Sequence, residues 1–97
     1  LDLEVIDLRT LVPWDQATVF DSVKKTSKAL VLYEATQTAA FGAEIAASIA
    51  ESCFEWLDAP VRRLGSLDTP VPFHPELEQG FMAQARLAEV VEDLMAY

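Results

Sequence analysis

Histidine and cysteine, which often carry chemistry at neutral pH, each occur once in this sequence. His74 lies between Phe73 and Pro75 in a proline-rich stretch, and Cys53 lies in a separate apolar stretch. A metal site of the zinc type needs several such ligands at short spacing, so the sequence predicts no metal site. For His74 we favour a surface or hydrogen-bonding role over a catalytic one.

The patterns of nucleophilic and nucleotide-dependent enzymes are also missing. Cys53 follows Phe41, Ile45 and Ile49 at intervals of four residues, which places it on the apolar face of a helix. A reactive thiol needs an exposed, electropositive setting, so we predict a buried structural cysteine. No serine lies in a nucleophile-elbow pattern. The glycines are too isolated for a phosphate-binding loop. They are Gly42, Gly65 and Gly80.

Glu34 is the one acidic residue whose position suggests chemistry. It follows the apolar run ALVLY at residues 29–33, which is typical of a strand covered on both faces. Open α/β sheets place ligands at the carboxyl ends of such strands, which would make Glu34 functional. Glu34 could equally cap the next helix through the free amides of residues 38–41. Because Glu34 can be either functional or a helix cap, we predict no catalytic residue.

The charge balance indicates what kind of partner the protein can have. The formal net charge is −9, and the seven cationic residues do not form one stripe. Nucleic-acid binding needs clustered lysine and arginine, so it is not expected. An acidic surface suits a basic protein partner, although net charge can also serve solubility alone. The apolar runs are shorter than the roughly 20 residues that span a bilayer, so no membrane association is expected.

Three segments have the composition of strands, and one has the composition of a loop. Short apolar or β-branched runs predict strands at residues 3–8, 29–33 and 61–64. Closely spaced prolines predict a rigid loop over residues 68–75, because proline excludes both regular helix and central strands.

Three further segments have the spacing and end signals of helices. The first is predicted to begin after the N-cap residue Asp15 and to end at residues 24–25, where lysines suit the helix dipole. The second begins near Phe41 and is stopped by Pro60. The third covers residues 81–95, with apolar residues on one side and acidic residues on the other.

The order of these segments predicts the fold class. Alternating strands and helices imply parallel strands that are joined by right-handed crossovers and covered by helices. We therefore predict an α/β fold with three layers, α/β/α, around a mostly parallel sheet. With 97 residues, the chain is predicted to be one domain, residues 1–97.

Five segments are more specific than their local physics requires. In chain order they are EVIDLRTLVPWD (residues 4–15), SVKKT (22–26), GAEIAASI (42–49), LDAPV (57–61) and DTPVPF (68–73). Together they resemble the C-terminal domain of the beta subunit of the thiamine-diphosphate-dependent 2-oxo acid dehydrogenases, of the branched-chain or pyruvate type. This domain is the transketolase C-terminal domain. The resemblance covers essentially the whole chain.

The resemblance implies a parent enzyme and its cofactors. Such an enzyme is an oxidoreductase that oxidatively decarboxylates a 2-oxo acid and acylates a lipoyl group, with a disulfide as acceptor. Its thiamine diphosphate and magnesium lie between the alpha subunit and the preceding domain of the beta subunit, so this chain is expected to bind neither. Whether the chain alone is an enzyme is left open. The implied location is the bacterial cytoplasm or the mitochondrial matrix, and a lone cysteine agrees with a reducing compartment.

The resemblance also implies that the domain assembles subunits and docks a partner. The expected neighbours are the alpha subunit, a second beta subunit and the small basic subunit-binding domain of the lipoyl acyltransferase. The family's Leu-acid-Ala-Pro segment supplies a carboxylate to that domain, and the matching residue here is Asp58. A second carboxylate comes from the chain terminus, here on Tyr97. Asp58 could alternatively be only a turn residue.

Relatives begin before Leu1 with a further strand and helix, so the fold is expected to be incomplete at its N-terminus. In those relatives the extra strand lies between the strands that match residues 3–8 and 29–33. We expect this segment in a separate piece, or in a longer protein of which this sequence is an excerpt.

The sequence departs from the family pattern at three places, and other assignments stay open. Tyr33 replaces the usual histidine, Thr36 replaces a common proline, and Met82-Ala83 replaces a common Leu-Pro. The first change puts in doubt any role of a strand-end histidine. The alternatives are the C-terminal domain of transketolase or deoxyxylulose-phosphate synthase, and a free-standing α/β interaction module. The segments at residues 57–60 and 68–73 favour the dehydrogenases.

Overall fold

The computed structural model describes residues 2–69 and 74–97, and its fold belongs to the α/β class. The elements are α1 (Gln16–Thr26), β1 (Leu30–Thr36), α2 (Phe41–Cys53), a first 3₁₀ turn (Phe54–Trp56), β2 (Arg62–Ser66), α3 (Pro75–Phe81), a second 3₁₀ turn (Ala83–Arg86) and α4 (Leu87–Met95).

The first predicted helix is confirmed, with the expected signals at both ends. The Asp15 carboxylate accepts hydrogen bonds from the Thr18 backbone N–H, at 3.2 Å, and from the Thr18 hydroxyl, at 2.7 Å. Lys24 and Lys25 lie in the last turn, where their charge suits the helix dipole. Ser27 then adopts the left-handed conformation (φ 68°) that commonly ends a helix.

The strands predicted at residues 29–33 and 61–64 are confirmed as β1 and β2, which form a parallel pair. Their register pairs Leu32 with Leu64 and next pairs Thr36 with Ser66, so β1 carries extra residues at this point. The ladder is therefore interrupted near the carboxyl ends of the strands.

The main core lies between α1, α2 and one face of the sheet. Val31 of β1 packs against it from the sheet side. Because side chains alternate along a strand, Leu32 and Leu64 point to the opposite face, and α4 and the second 3₁₀ turn contact β2. The buried residues of the main core are Val19, Val23, Ile45, Ile49 and Cys53.

The prediction that β1 is covered on both faces is wrong for one face. Leu32 is 50% exposed, whereas its register partner Leu64 is 2% exposed. The physical reason is that α4 contacts β2 on this side, whereas β1 is contacted by the short second 3₁₀ turn, which leaves half of Leu32 uncovered.

The strand predicted at residues 3–8 is wrong, because this segment pairs with no strand in the described part of the chain. It lies along α1 instead. Ile6 and Leu8 pack against the core, and the Glu4 carboxylate lies 2.6 Å from the Lys25 ammonium group. β-Branched composition favours a strand only where a neighbouring strand supplies hydrogen bonds, and here helix packing takes its place.

The helix predicted over residues 81–95 is also wrong in extent. The chain forms α3, a break at Met82 with extended backbone (ψ 145°), the second 3₁₀ turn and α4. Pro75, expected to belong to a loop, begins α3, because proline is tolerated in the first turn of a helix. Of the loop predicted at residues 68–75, residues 70–73 lie outside the described part.

Candidate partner-docking site

Asp58 lies on an exposed loop that follows the first 3₁₀ turn. This turn ends at Leu57, whose backbone is extended (φ −84°, ψ 131°). The Asp58 backbone N–H donates a hydrogen bond to the Ser27 carbonyl, with an N–O distance of 2.8 Å. The backbone is therefore fixed, while the carboxylate has no ion pair among the described residues.

The carboxyl end of α4 reaches the same turn from another direction. The Lys28 ammonium group donates a hydrogen bond to the Met95 carbonyl at 3.3 Å. Tyr97 follows two residues later, is 70% exposed, and donates its backbone N–H to the Leu94 carbonyl. The turn at residues 27–28 thus contacts both the Asp58 loop and the segment that leads to Tyr97.

We call this arrangement the docking edge, defined as Asp58, Tyr97 and the turn at residues 27–28. It lies where β1 and β2 begin, because the turn leads into β1 and the Arg62 N–H donates to the Ala29 carbonyl at 3.1 Å. The exposed carboxylate of Asp58 can accept charge-assisted hydrogen bonds from lysine or arginine of a partner. Asp58 and Tyr97 thus lie on, or next to, segments that contact the turn at residues 27–28, and their role in binding a partner stays a prediction.

Two aromatic side chains precede Asp58 on the first 3₁₀ turn. Phe54 is 77% exposed and Trp56 is 43% exposed. The Lys24 ammonium group lies 4.6 Å from the centre of the Trp56 ring, which is a cation–π contact. An apolar surface therefore adjoins the Asp58 loop. The sequence predicted that these aromatic residues belong to the second helix, but α2 ends at Cys53.

Glu34 belongs to the opposite edge of the sheet, where the strands end. Its side chain is exposed and, among the described residues, makes no hydrogen bond to the amides of residues 38–41; the Thr38 N–H donates to Asp68 instead. The capping role that we considered for Glu34 is therefore wrong. The Glu34 backbone carbonyl instead accepts the Ser66 hydroxyl at 2.5 Å.

Asp68, and not Glu34, accepts a hydrogen bond from the free amides of residues 38–41. Its carboxylate accepts the Thr38 backbone N–H at 2.9 Å and also accepts the Thr38 hydroxyl. Hydrogen bonds from the Thr38 hydroxyl first, and then from the Thr38 backbone, hold the pKa of Asp68 below its usual value. Sequence reasoning missed this residue, because the two partners are far apart in the chain.

Tyr33, the departure from the family pattern, is a packing residue. Its half-buried ring lies against both Gly42 of α2 and Gly65 of β2, so that a methyl group at either glycine would overlap it. Its hydroxyl donates to the Gln37 carbonyl at 3.0 Å, and the Arg63 guanidinium donates to the same carbonyl at 2.9 Å. No sequence pattern indicated this arrangement, because both glycines are distant from Tyr33 in the chain.

Gln37 bridges the interrupted ladder between the strands. Its side-chain amide donates to the Arg63 carbonyl at 3.2 Å and accepts the Gly65 N–H at 2.6 Å. Backbone groups of β2 that lack a strand partner here are therefore satisfied by a side chain.

Cys53 and His74 have the surroundings that the sequence predicted. The Cys53 side chain is 0% exposed, its sulfur lies 3.9 Å from the Phe20 carbonyl, and burial raises the pKa of the thiol. His74 is exposed, and its Nδ1 accepts the Glu76 backbone N–H at 3.3 Å. Both contacts are structural.

Within residues 2–69 and 74–97, no three or more His, Cys, Asp or Glu side chains are grouped so that they could hold a metal ion. Among the same residues, every helix is too short or too polar to cross a membrane.

Comparison with known proteins gives a consistent family relationship. The profile of the family described as "Transketolase, C-terminal domain" matches residues 1–86. The chain is 54% identical over 72 residues to the mitochondrial 2-oxoisovalerate dehydrogenase subunit beta 2 of Arabidopsis thaliana, covering 74% of this chain and 20% of that protein.

Bacterial proteins match over more of the chain. The 2-oxoisovalerate dehydrogenase subunit beta of Pseudomonas aeruginosa is 42% identical over 95 residues, which cover 98% of this chain and 27% of that protein. The pyruvate dehydrogenase E1 component subunit beta of Mycoplasma pneumoniae is 43% identical over 93 residues, which cover 96% and 28%. The chain thus spans about a fifth to a quarter of the length of these relatives.

Proposed function

Because the chain belongs to the transketolase C-terminal domain family, we propose that it is the assembly and docking domain in the beta subunit of a 2-oxo acid dehydrogenase. The beta-subunit names of its relatives support this assignment. They favour the dehydrogenases over transketolase, deoxyxylulose-phosphate synthase and a free-standing interaction module.

The parent enzyme in this proposal decarboxylates a 2-oxo acid oxidatively and transfers the acyl group to a lipoyl group. Thiamine diphosphate supplies the carbanion chemistry when it is bound. We propose that this cofactor and its magnesium are held by other parts of the enzyme, as the family resemblance implies. In support, no three or more metal-ligating side chains are grouped together among the described residues. The role of this domain is then to hold neighbours in place.

The proposed partners are the alpha subunit, a second beta subunit and the basic subunit-binding domain of the lipoyl acyltransferase. The proposed location is the mitochondrial matrix or the bacterial cytoplasm, since relatives include mitochondrial and bacterial proteins.

We propose that Asp58 and Tyr97, the two positions selected by the family resemblance, dock the basic domain. The observation that carries this assignment is the convergence of their two segments on the turn at residues 27–28. A fixed segment loses little conformational freedom on binding, so the Asp58 carboxylate can accept hydrogen bonds at low entropic cost. A net charge of −9 adds long-range attraction, which raises the association rate with a basic partner.

Substitution of Asp58 by alanine tests this function. We expect the affinity for a recombinant acyltransferase subunit-binding domain to fall about 10- to 150-fold, because a charge-assisted hydrogen bond contributes about 1.5–3 kcal/mol. Calorimetric titration of the assembled enzyme measures the change. The matched control is Glu55→Ala, which removes an exposed acidic side chain on the neighbouring 3₁₀ turn. Unchanged affinity in Asp58→Ala would remove Asp58 from the docking site.

A further inference from the structure

We infer that Arg63 binds a carboxylate group of the alpha subunit in the assembled enzyme. This inference rests on the proposed function, because the alpha subunit is one of the neighbours proposed there. Arg63 is separate from the docking edge. Its guanidinium group reaches the loop that follows β1, at the opposite edge of the sheet, where the strands end.

The Arg63 guanidinium group is held by one of its nitrogen atoms, while the other two keep their donors available. The held atom, Nη1, donates to the Gln37 carbonyl at 2.9 Å and to the Tyr33 hydroxyl at 3.5 Å. Nε and Nη2 make no hydrogen bond to a described residue, and no atom of Arg63 is among the buried polar atoms that lack a partner there. These two donors are therefore open to solvent. They form the planar pair of N–H groups that can bind a carboxylate through two parallel hydrogen bonds.

A carboxylate for Arg63 is not supplied by the part of the chain that the structure describes. Neither of the ion pairs found there involves Arg63. The nearby carboxylate of Asp68 has its pKa lowered by hydrogen bonds from Thr38 first, and to a smaller extent by the charge of Arg63. Both Asp68 oxygens already accept hydrogen bonds from Thr38. A half-buried, oriented arginine in a domain with 16 acidic residues therefore fits a carboxylate from outside the domain.

Charge and shape favour the alpha subunit among the proposed neighbours. The subunit-binding domain is basic, so it would repel an arginine. A second beta subunit would bring another copy of this domain, with its formal net charge of −9, against the first. A free small anion would need a concave site with several converging donors, whereas the clefts of the described surface are lined by residues other than Arg63.

Substitution of Arg63 by glutamine tests this role in the assembled enzyme. We expect the Kd between the alpha and beta subunits, measured by sedimentation velocity, to increase about tenfold. This is the low end of the range for hydrogen bonds to charged groups, because Arg63 is only half-buried. The dependence of Kd on NaCl concentration should also become weaker, since an ion pair is lost. A role in folding alone would leave this salt dependence unchanged.

The matched control is Arg62→Gln, which removes the same charge from the preceding residue of β2. Because side chains alternate along a strand, Arg62 lies on the face of Leu64, which α4 covers, and not beside Gln37. Arg62→Gln should change the Kd between the subunits less than twofold.

The substitution Arg63→Lys identifies the partner group directly. It places a primary amine at this position, and a carbodiimide joins an amine to a carboxylate in contact with it. An amide bond forms, and the carbodiimide takes up the water that is lost and becomes a urea. Mass spectrometry of the digested complex should show residue 63 joined to an aspartate or glutamate of the alpha subunit. Arg63→Gln should give no such product.

The possible outcomes separate the inference from the proposed function. If the unmodified beta subunit forms no complex with an alpha subunit, the proposed function fails. If the complex forms and Arg63→Gln leaves Kd within twofold, the role of Arg63 is overturned. Coupling of residue 63 in the Arg63→Lys variant only to Asp68 or to another beta subunit also overturns it. Should Arg63→Gln lower the Tm of the beta subunit alone, this coupling experiment decides.

Discussion

Replacement of Gly42 by alanine is expected to destabilise the protein, although alanine is the better helix former. Gly42 is buried in α2 and faces the ring of Tyr33. A methyl group at this position would overlap ring atoms, and the ring is held by the hydrogen bond from its hydroxyl to the Gln37 carbonyl. The close approach of the ring, and not an unusual backbone angle, is what requires glycine here.

The expected magnitude follows from two opposing effects. Alanine in place of glycine within a helix stabilises by about 1 kcal/mol. Overpacking of a filled site costs about 1–3 kcal/mol. The net result is a loss of about 1 kcal/mol, which corresponds to a decrease in Tm of about 4–8 °C for a domain of this size.

Removal of the Tyr33 ring should reverse the sign of the effect that Gly42→Ala has on stability. In a Tyr33→Ala background, Gly42→Ala should stabilise by about 1 kcal/mol, because only the helix propensity remains. Gly65→Ala is the matched control, since an added methyl group there would also lie 2.8 Å from the Ala35 carbonyl oxygen. It should therefore destabilise in both backgrounds. Urea unfolding followed by circular dichroism measures all the variants. Stabilisation by Gly42→Ala with Tyr33 present would refute the packing argument.

Two more substitutions test the remaining contacts. Because hydrogen bonds from Thr38 lower the pKa of Asp68, this carboxylate stabilises the fold above its ordinary pKa of 3.8, and the contribution disappears as pH falls through the lower folded value. Asp68→Ala should lower Tm at neutral pH and should make the decrease in Tm below about pH 4 smaller than in the unmodified protein. The same decrease in Tm on acidification in both proteins would contradict this. Cys53→Ser should destabilise by about 1–3 kcal/mol, because it buries a hydroxyl group in the apolar core. The Cys53 thiol itself should react with iodoacetamide only on unfolding, and rapid labelling of the native protein would show that the residue is accessible.

The sequence alone determined the elements whose signals are local. The acidic N-cap, the lysines in the last turn and the four-residue apolar spacing lie within one element each, so they predicted α1, the face of α2 and the burial of Cys53. The two confirmed strands are apolar runs of the same local kind. Asp58 and Tyr97 were selected by the family resemblance, because no local sequence pattern distinguishes a partner-binding surface residue from other exposed residues.

Only the tertiary structure decided which distant groups meet. The segment at residues 3–8 has strand composition, yet its neighbours are α1 and the core, and no local pattern encodes that choice. The contacts from Lys28 to the α4 end and from Tyr33 to two glycines likewise join residues of different elements. Such contacts depend on how helices pack across a sheet, which is a property of the whole chain. For this reason the docking edge is visible only in the folded molecule.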